Sequence, residues 1–145
     1  MIAATHRGAY IRAMTTSSTG AVTGAPLVWL RVEGLAVLAL AVLLYARGGH
    51  SWLLLAALFL APDLSFVAYL GGTRMGAWAY NAAHSYAGPA LAAGAALLTG
   101  RPPVVALIWA AHVGFDRALG YGLKYPSGFA DTHLGRLRGG RARTV

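Results

Sequence analysis

Four runs of apolar residues, at 27–46, 52–70, 75–98 and 104–121, take up most of the chain, and each is about as long as a helix must be to cross the ~30 Å hydrocarbon core of a bilayer. Only short breaks separate them: Arg47-Gly48-Gly49-His50, Gly71-Gly72-Thr73-Arg74, and Gly100-Arg101-Pro102-Pro103. A helix that is apolar all round has no face to offer water. Composition agrees, since 57% of the 145 residues are hydrophobic and 11% charged, against about 25% charged in soluble domains. The expected fold is an all-α integral membrane four-helix bundle over residues 27–137.

Residues 1–26, rich in Ser, Thr, Gly and Ala around Arg7 and Arg12, read as a disordered tail and lack the apolar core of a signal peptide. Residues 138–145 read as a basic tail. Lys and Arg near span ends are retained in the cytoplasm. One side of the bundle collects Arg7, Arg12, Arg31, Arg74, Lys124 and four arginines from Arg136 onward, and the other has Arg47 and Arg101. Both termini are therefore expected in the cytoplasm, in a multi-pass protein of the cell (inner) membrane. The formal charge of +8 is spread over tails and helix ends without a basic stripe, which excludes nucleic acid as a partner. Membrane lipid is the expected contact. Ala79, Ala83 and Ala87 form a small-residue ridge on which a second copy or a partner membrane protein could dock. Pro62 and Pro89 predict kinks.

Absence of cysteine removes disulfides, thiolate nucleophiles and sulfur-ligated metals. No phosphate-cradling glycine loop, serine elbow or dinucleotide fingerprint is present. The acidic residues are more telling. Of four, Glu33, Asp63 and Asp116 fall inside apolar runs and Asp131 just after the last, although an Asp at mid-membrane costs about 2.5–3.5 kcal/mol on insertion scales. At 1.5 Å per residue from each cytoplasmic end, Glu33, Asp63, Asn81, His84, His112 and Asp116 lie at depths of ~8–13 Å, in one slab. His112 and Asp116 share a face of the fourth helix, as Asn81 and His84 do on the third. Arg31 diverges from Glu33, so Glu33 is expected to look inward for a partner.

Several readings of this cluster stay open. In one, His84, His112 and Asp116 ligate a divalent metal such as zinc, iron or manganese, with Asp63 or Glu33 as general base of a hydrolase acting on an amphiphile. In another, the cluster is a hydrogen-bonded network that glues the helices of a non-enzymatic scaffold. In a third, Glu33, Asp63 and His84 pass protons in a small carrier. After the fourth helix, Arg117, Tyr121, Lys124 and His133 lie in a polar and aromatic stretch that reads as a lid hinged at Gly122 and Gly128. There, Arg117 and Lys124 are candidates to hold a phosphate or lipid headgroup, His133 to add a ligand or base, and Asn81 and Tyr121 to touch substrate.

The stretches Arg31-Val32-Glu33-Gly34, Pro62-Asp63-Leu64-Ser65, Tyr80-Asn81-x-x-His84, His112-x-Gly114-Phe115-Asp116-Arg117-x-x-Gly120-Tyr121-Gly122-Leu123-Lys124-Tyr125 and Thr132-His133-Leu134-Gly135 together resemble an uncharacterised bacterial family of small four-span membrane proteins, a domain of unknown function, over about residues 27 to 137. The resemblance implies the fold and the membrane location and carries no activity. Asp and His on facing helices near one leaflet also occur in larger membrane hydrolases, an analogy of site chemistry alone.

Overall fold

Pro26 lies in the first turn of α1 (Ala25–Arg47), where its missing N–H has no intrahelical partner to lose, so the helix starts two residues ahead of the apolar run. The structure, a computed structural model, describes residues 20–137. The basic tail and most of the N-terminal tail expected from sequence lie outside the described residues. Residues just before α1 are tied down: Val22 N–H donates to His133 O at 2.8 Å, and the Tyr125 hydroxyl to Gly20 O at 2.9 Å.

The second apolar run changes character midway. Ser51 caps α2 (Trp52–Phe59), its Oγ accepting from Leu54 N–H. Pro62 cannot donate to Leu58 O, and the chain tightens into a 3-10 segment, Ala61–Gly71. Eleven residues is long for that geometry, which rarely exceeds about 3–4.

The third run, expected as one kinked helix, is two: α3 (Thr73–Ala83) and α4 (Ala87–Leu98). Pro89 has no N–H for Ser85 O, and its ring clashes with that carbonyl, so the helix stops and restarts. Side chains from the last helix, α5 (Val104–Leu119), satisfy carbonyls freed at the break. Trp109 Nε1 donates to Ala83 O at 2.6 Å, and Arg117 Nη2 to His84 O at 2.8 Å. The break also separates Ala83 from Ala87, so the small-residue ridge is not continuous.

Gly120, at φ 96°, ends α5 in the left-handed conformation. Tyr121 N–H then reaches Asp116 O at 2.7 Å and Gly120 N–H reaches Arg117 O at 3.1 Å. Arg31 covers the last carbonyls from α1, with Nε on Ala118 O at 2.9 Å and Nη2 on Leu119 O at 3.2 Å. Beyond lies a minimal antiparallel hairpin of β1 (Asp131–Thr132) and β2 (Gly135–Arg136), which Lys124 joins through a bridge to Thr132.

α1 packs along α5, α3 lies on the 3-10 segment, and α2 and α4 flank α5. The runs Ala25–Arg47 (23 residues) and Trp52–Gly71 (20 residues) are long and apolar enough to cross a membrane. Leu53, Leu64, Leu70, Trp78, Leu91 and Leu98 all project outward, away from the core.

Candidate metal centre

Asp63 enters from the first turn of the 3-10 segment, His84 from the residue that ends α3, and His112 and Asp116 from successive turns of α5. These places bring four donor atoms within 4.8 Å of one another, and the group could hold a metal ion. His84 Nε2 lies 3.2 Å from Asp63 Oδ1, 3.6 Å from Asp116 Oδ2 and 3.1 Å from His112 Nε2. His112 Nε2 lies 3.6 Å from Asp63 Oδ1 and 3.9 Å from Asp116 Oδ2. Ligands at ~2.0–2.1 Å around a tetrahedral ion stand roughly 3.3–3.4 Å apart, so these five separations straddle that edge.

Hydrogen-bond chemistry sharpens the geometry. His84 Nδ1 is 3.0 Å from Tyr80 O, and a carbonyl only accepts, so Nδ1 carries the proton. In the neutral ring Nε2 is then a lone pair, and it faces a carboxylate oxygen 3.2 Å away. Acceptor facing acceptor is resolved by a cation between them or by a proton on one of the two. Tyr80 supports both ligating types: its hydroxyl donates to Asp116 Oδ2 at 3.2 Å, and its ring stacks on His84 at 3.7 Å between centroids. Phe59 meets His112 edge-on at 5.3 Å. Within the described residues His112 Nδ1 is buried with no partner, a departure from the usual pattern in which a ligating imidazole donates its other N–H. Tyr80 stands in the stretch Tyr80-Asn81-x-x-His84 but is given no role by the sequence. Its position four before His84, on the same face of the third run, was the available signal.

A cavity of about 890 Å³ opens over the cluster. Asp63, Tyr80, His112 and Asp116 contribute polar groups to it, aromatic rings form much of its wall, and Lys124 and the exposed Tyr121 also line it. Lys124 is buried; its Nζ donates to Phe129 O at 2.9 Å and sits 4.1 Å from the Phe129 ring centroid and 5.0 Å from that of Tyr80. Burial lowers the pKa of its ammonium below the ordinary lysine value, and the Asp116 carboxylate opposes that.

Asn81, expected in the same slab as the cluster, is occupied elsewhere. Its Nδ2 donates to Lys124 O at 2.9 Å, and its Oδ1 accepts from Lys124 N–H at 2.6 Å. This two-point clamp fixes the lysine main chain. Asn81→Ala strips partners from both groups and is expected to lower stability by about 2 kcal/mol, each unsatisfied buried group costing ~1–3 kcal/mol. Denaturant unfolding in detergent checks this, and a loss under ~0.5 kcal/mol would mean that the clamp contributes nothing.

Glu33 does not look inward. α1 turns Gly34, Ala41 and Tyr45 to the core, and one residue along a helix is a ~100° rotation, which leaves Glu33 exposed. It lines a second cavity, of about 300 Å³, with Tyr86, Arg117 and His133, outside the four-residue group. His133 is a fastening: its Nδ1 accepts from Leu123 N–H at 2.8 Å, and burial with Arg117 nearby pushes its pKa down, favouring the neutral ring. Arg117 spends its guanidinium on Tyr121 O at 2.6 Å and on His84 O.

Residues 27–137 match the family whose description is Domain of unknown function (DUF4260). No curated protein and no solved structure matches the chain.

Proposed function

The chain belongs to the DUF4260 family, and on that footing we propose that it is a membrane-embedded, metal-dependent hydrolase of an amphiphilic substrate. The carrying observation is the convergence of Asp63, His84, His112 and Asp116, donor atoms within 4.8 Å of one another, at the floor of a cavity with apolar walls. His84, His112 and Asp116 are the ligands, with hard and borderline donors suited to zinc, iron or manganese. Asp63, the least enclosed of the four, with about a third of its side chain accessible, is the general base. A bound divalent ion supplies Lewis acidity and lowers the pKa of a water toward neutrality. Asp63 takes a proton from water as the water oxygen bonds to the substrate's electrophilic centre. It returns that proton to the departing oxygen when the old bond breaks. Tyr80 holds Asp116 in place throughout.

The membrane part of the proposal is four crossings, with both termini on the cytoplasmic side of the cell membrane. The two long apolar runs and the outward leucines support it, together with the arginine distribution. The broken third run then spans as α3 and α4, an interruption tolerated at membrane depth because Trp109 and Arg117 satisfy its carbonyls.

Elemental analysis of the purified protein tests the centre. About one equivalent of a divalent transition metal is expected, falling to background in the double variant His112→Ala, Asp116→Ala. A wild type without metal, or a double variant that keeps it, sinks the proposal. One observation favours a second reading: the unpartnered His112 Nδ1 suits a proton relay through His112, His84 and Asp63 in a small carrier. Proton flux into liposomes that Asp63→Asn leaves unchanged would remove that reading.

A further inference from the structure

Lys124 is 4% exposed, and its ammonium has three N–H groups. Among the described residues one acceptor, Phe129 O, lies within hydrogen-bond distance. Among the described residues no carboxylate comes within 4.0 Å of Nζ. A buried cation without an ion-pair partner is costly unless something else neutralises it. Two aromatic faces lower that cost without removing it. The Asn81 clamp and the Thr132 bridge hold the residue at the wall of the same cavity that contains Asp63, His112 and Asp116.

Charge balance shows what is missing. Asp63 and Asp116 bring two negative charges and Lys124 one positive charge, while Arg117 lies with Glu33 at the second cavity. With neutral imidazoles the set carries one net negative charge. A divalent ion leaves an excess of one positive charge in a space that apolar walls keep at low dielectric, so its companion should be anionic.

We propose that the substrate carries a phosphoryl-type oxyanion, seated between the four-residue centre and Lys124, with its apolar part along the ring faces of Phe59, Phe66, Phe115 and Phe129. The inference rests on the metal reading above and names the substrate class for it. The free N–H groups of Lys124 donate to the oxyanion, and the rings that line the cavity take the chain.

Calorimetry on zinc-loaded full-length protein in a non-ionic detergent tests this, with inorganic phosphate and decyl phosphate as probes and metal content measured on every sample. Wild type is expected to bind both, decyl phosphate at least ~10-fold more tightly. Lys124→Met should keep its zinc, which also shows that it folds, and lose ~10- to 100-fold for both probes, the range for a hydrogen bond to a charged group. Lys124→Arg should keep most of the affinity. Equal binding of phosphate by Lys124→Met and wild type overturns the inference, as does a neutral decyl glycoside that binds as well as decyl phosphate. Equal affinity for inorganic and decyl phosphate overturns the amphiphile and leaves free phosphate as the ligand. A wild type that takes up no zinc fails the metal reading and this inference together, whereas zinc uptake without phosphate binding fails this inference alone.

Discussion

Gly114→Ala is expected to cost about 3 kcal/mol or more and to lower metal loading with it, a large effect for one methyl group. A Cβ at that position would lie 2.7 Å from Gly34 O, 2.8 Å from Leu38 N and 3.2 Å from Leu38 Cα. All three neighbours are main chain, so no side-chain rotation relieves the overlap. The reciprocal substitution is equally blocked, since a Cβ at Gly34 would fall 2.4 Å from Arg117 Cβ and 2.9 Å from Gly114 O. α1 and α5 therefore touch backbone to backbone, the close approach that small residues allow between helices in lipid. Separating them moves the turns of α5 that carry His112, Asp116 and Arg117. Gly94→Ala in α4 is the control, because a Cβ there meets nothing within 4 Å; it should be neutral or stabilising by up to ~1 kcal/mol. Thermal unfolding in detergent distinguishes the two, and a Gly114→Ala variant that unfolds like wild type would show that this crossing is looser than its geometry.

The contrast between what the sequence discloses and what it hides follows from the solvent. Carboxylates and imidazoles in an apolar run are conspicuous because burying them away from water is costly, so Asp63, His84, His112 and Asp116 stood out in the sequence, together with Glu33 and Asn81, which the fold leaves outside the group. Rotation about a helix axis is different. A span apolar on every side carries no polarity stripe, and nothing in the α1 sequence says that Gly34 faces inward and Glu33 outward. The break at 84–86 was legible only as a kink at Pro89, because whether a helix bends or stops depends on donors elsewhere in the chain, here Trp109 and Arg117. The change to 3-10 geometry after Pro62 is hidden similarly, since an α-helix and a 3-10 helix of the same apolar residues look alike in composition. Asn81 misled for another reason: helical rise grouped it with the cluster, while its amide is taken up by the main chain of Lys124.

Removing metal from the wild type is expected to lower its stability by about 4 kcal/mol when the ion had been present at about a thousand times its Kd, because a ligand that binds only the folded state stabilises by RT ln(1 + [L]/Kd). The centre is well placed to show this. Its ligands come from the end of α3 and from α5, so the ion ties together two elements that the unfolded chain cannot bring to one point. Chelation should shift thermal unfolding downward, and restoring zinc should reverse it. His112→Ala should unfold at the same temperature with and without chelator. The sign with pH follows from the ligands: both imidazoles must be unprotonated to bind, so the metal-derived stability is present at neutral pH and lost on acidification. A purely hydrogen-bonded cluster behaves otherwise, since neither chelator nor zinc would move its unfolding temperature at any pH. Wild-type unfolding that is indifferent to both would leave the acceptor opposition at His84 Nε2 to be resolved by a proton between His84 and the carboxylates of Asp63 and Asp116.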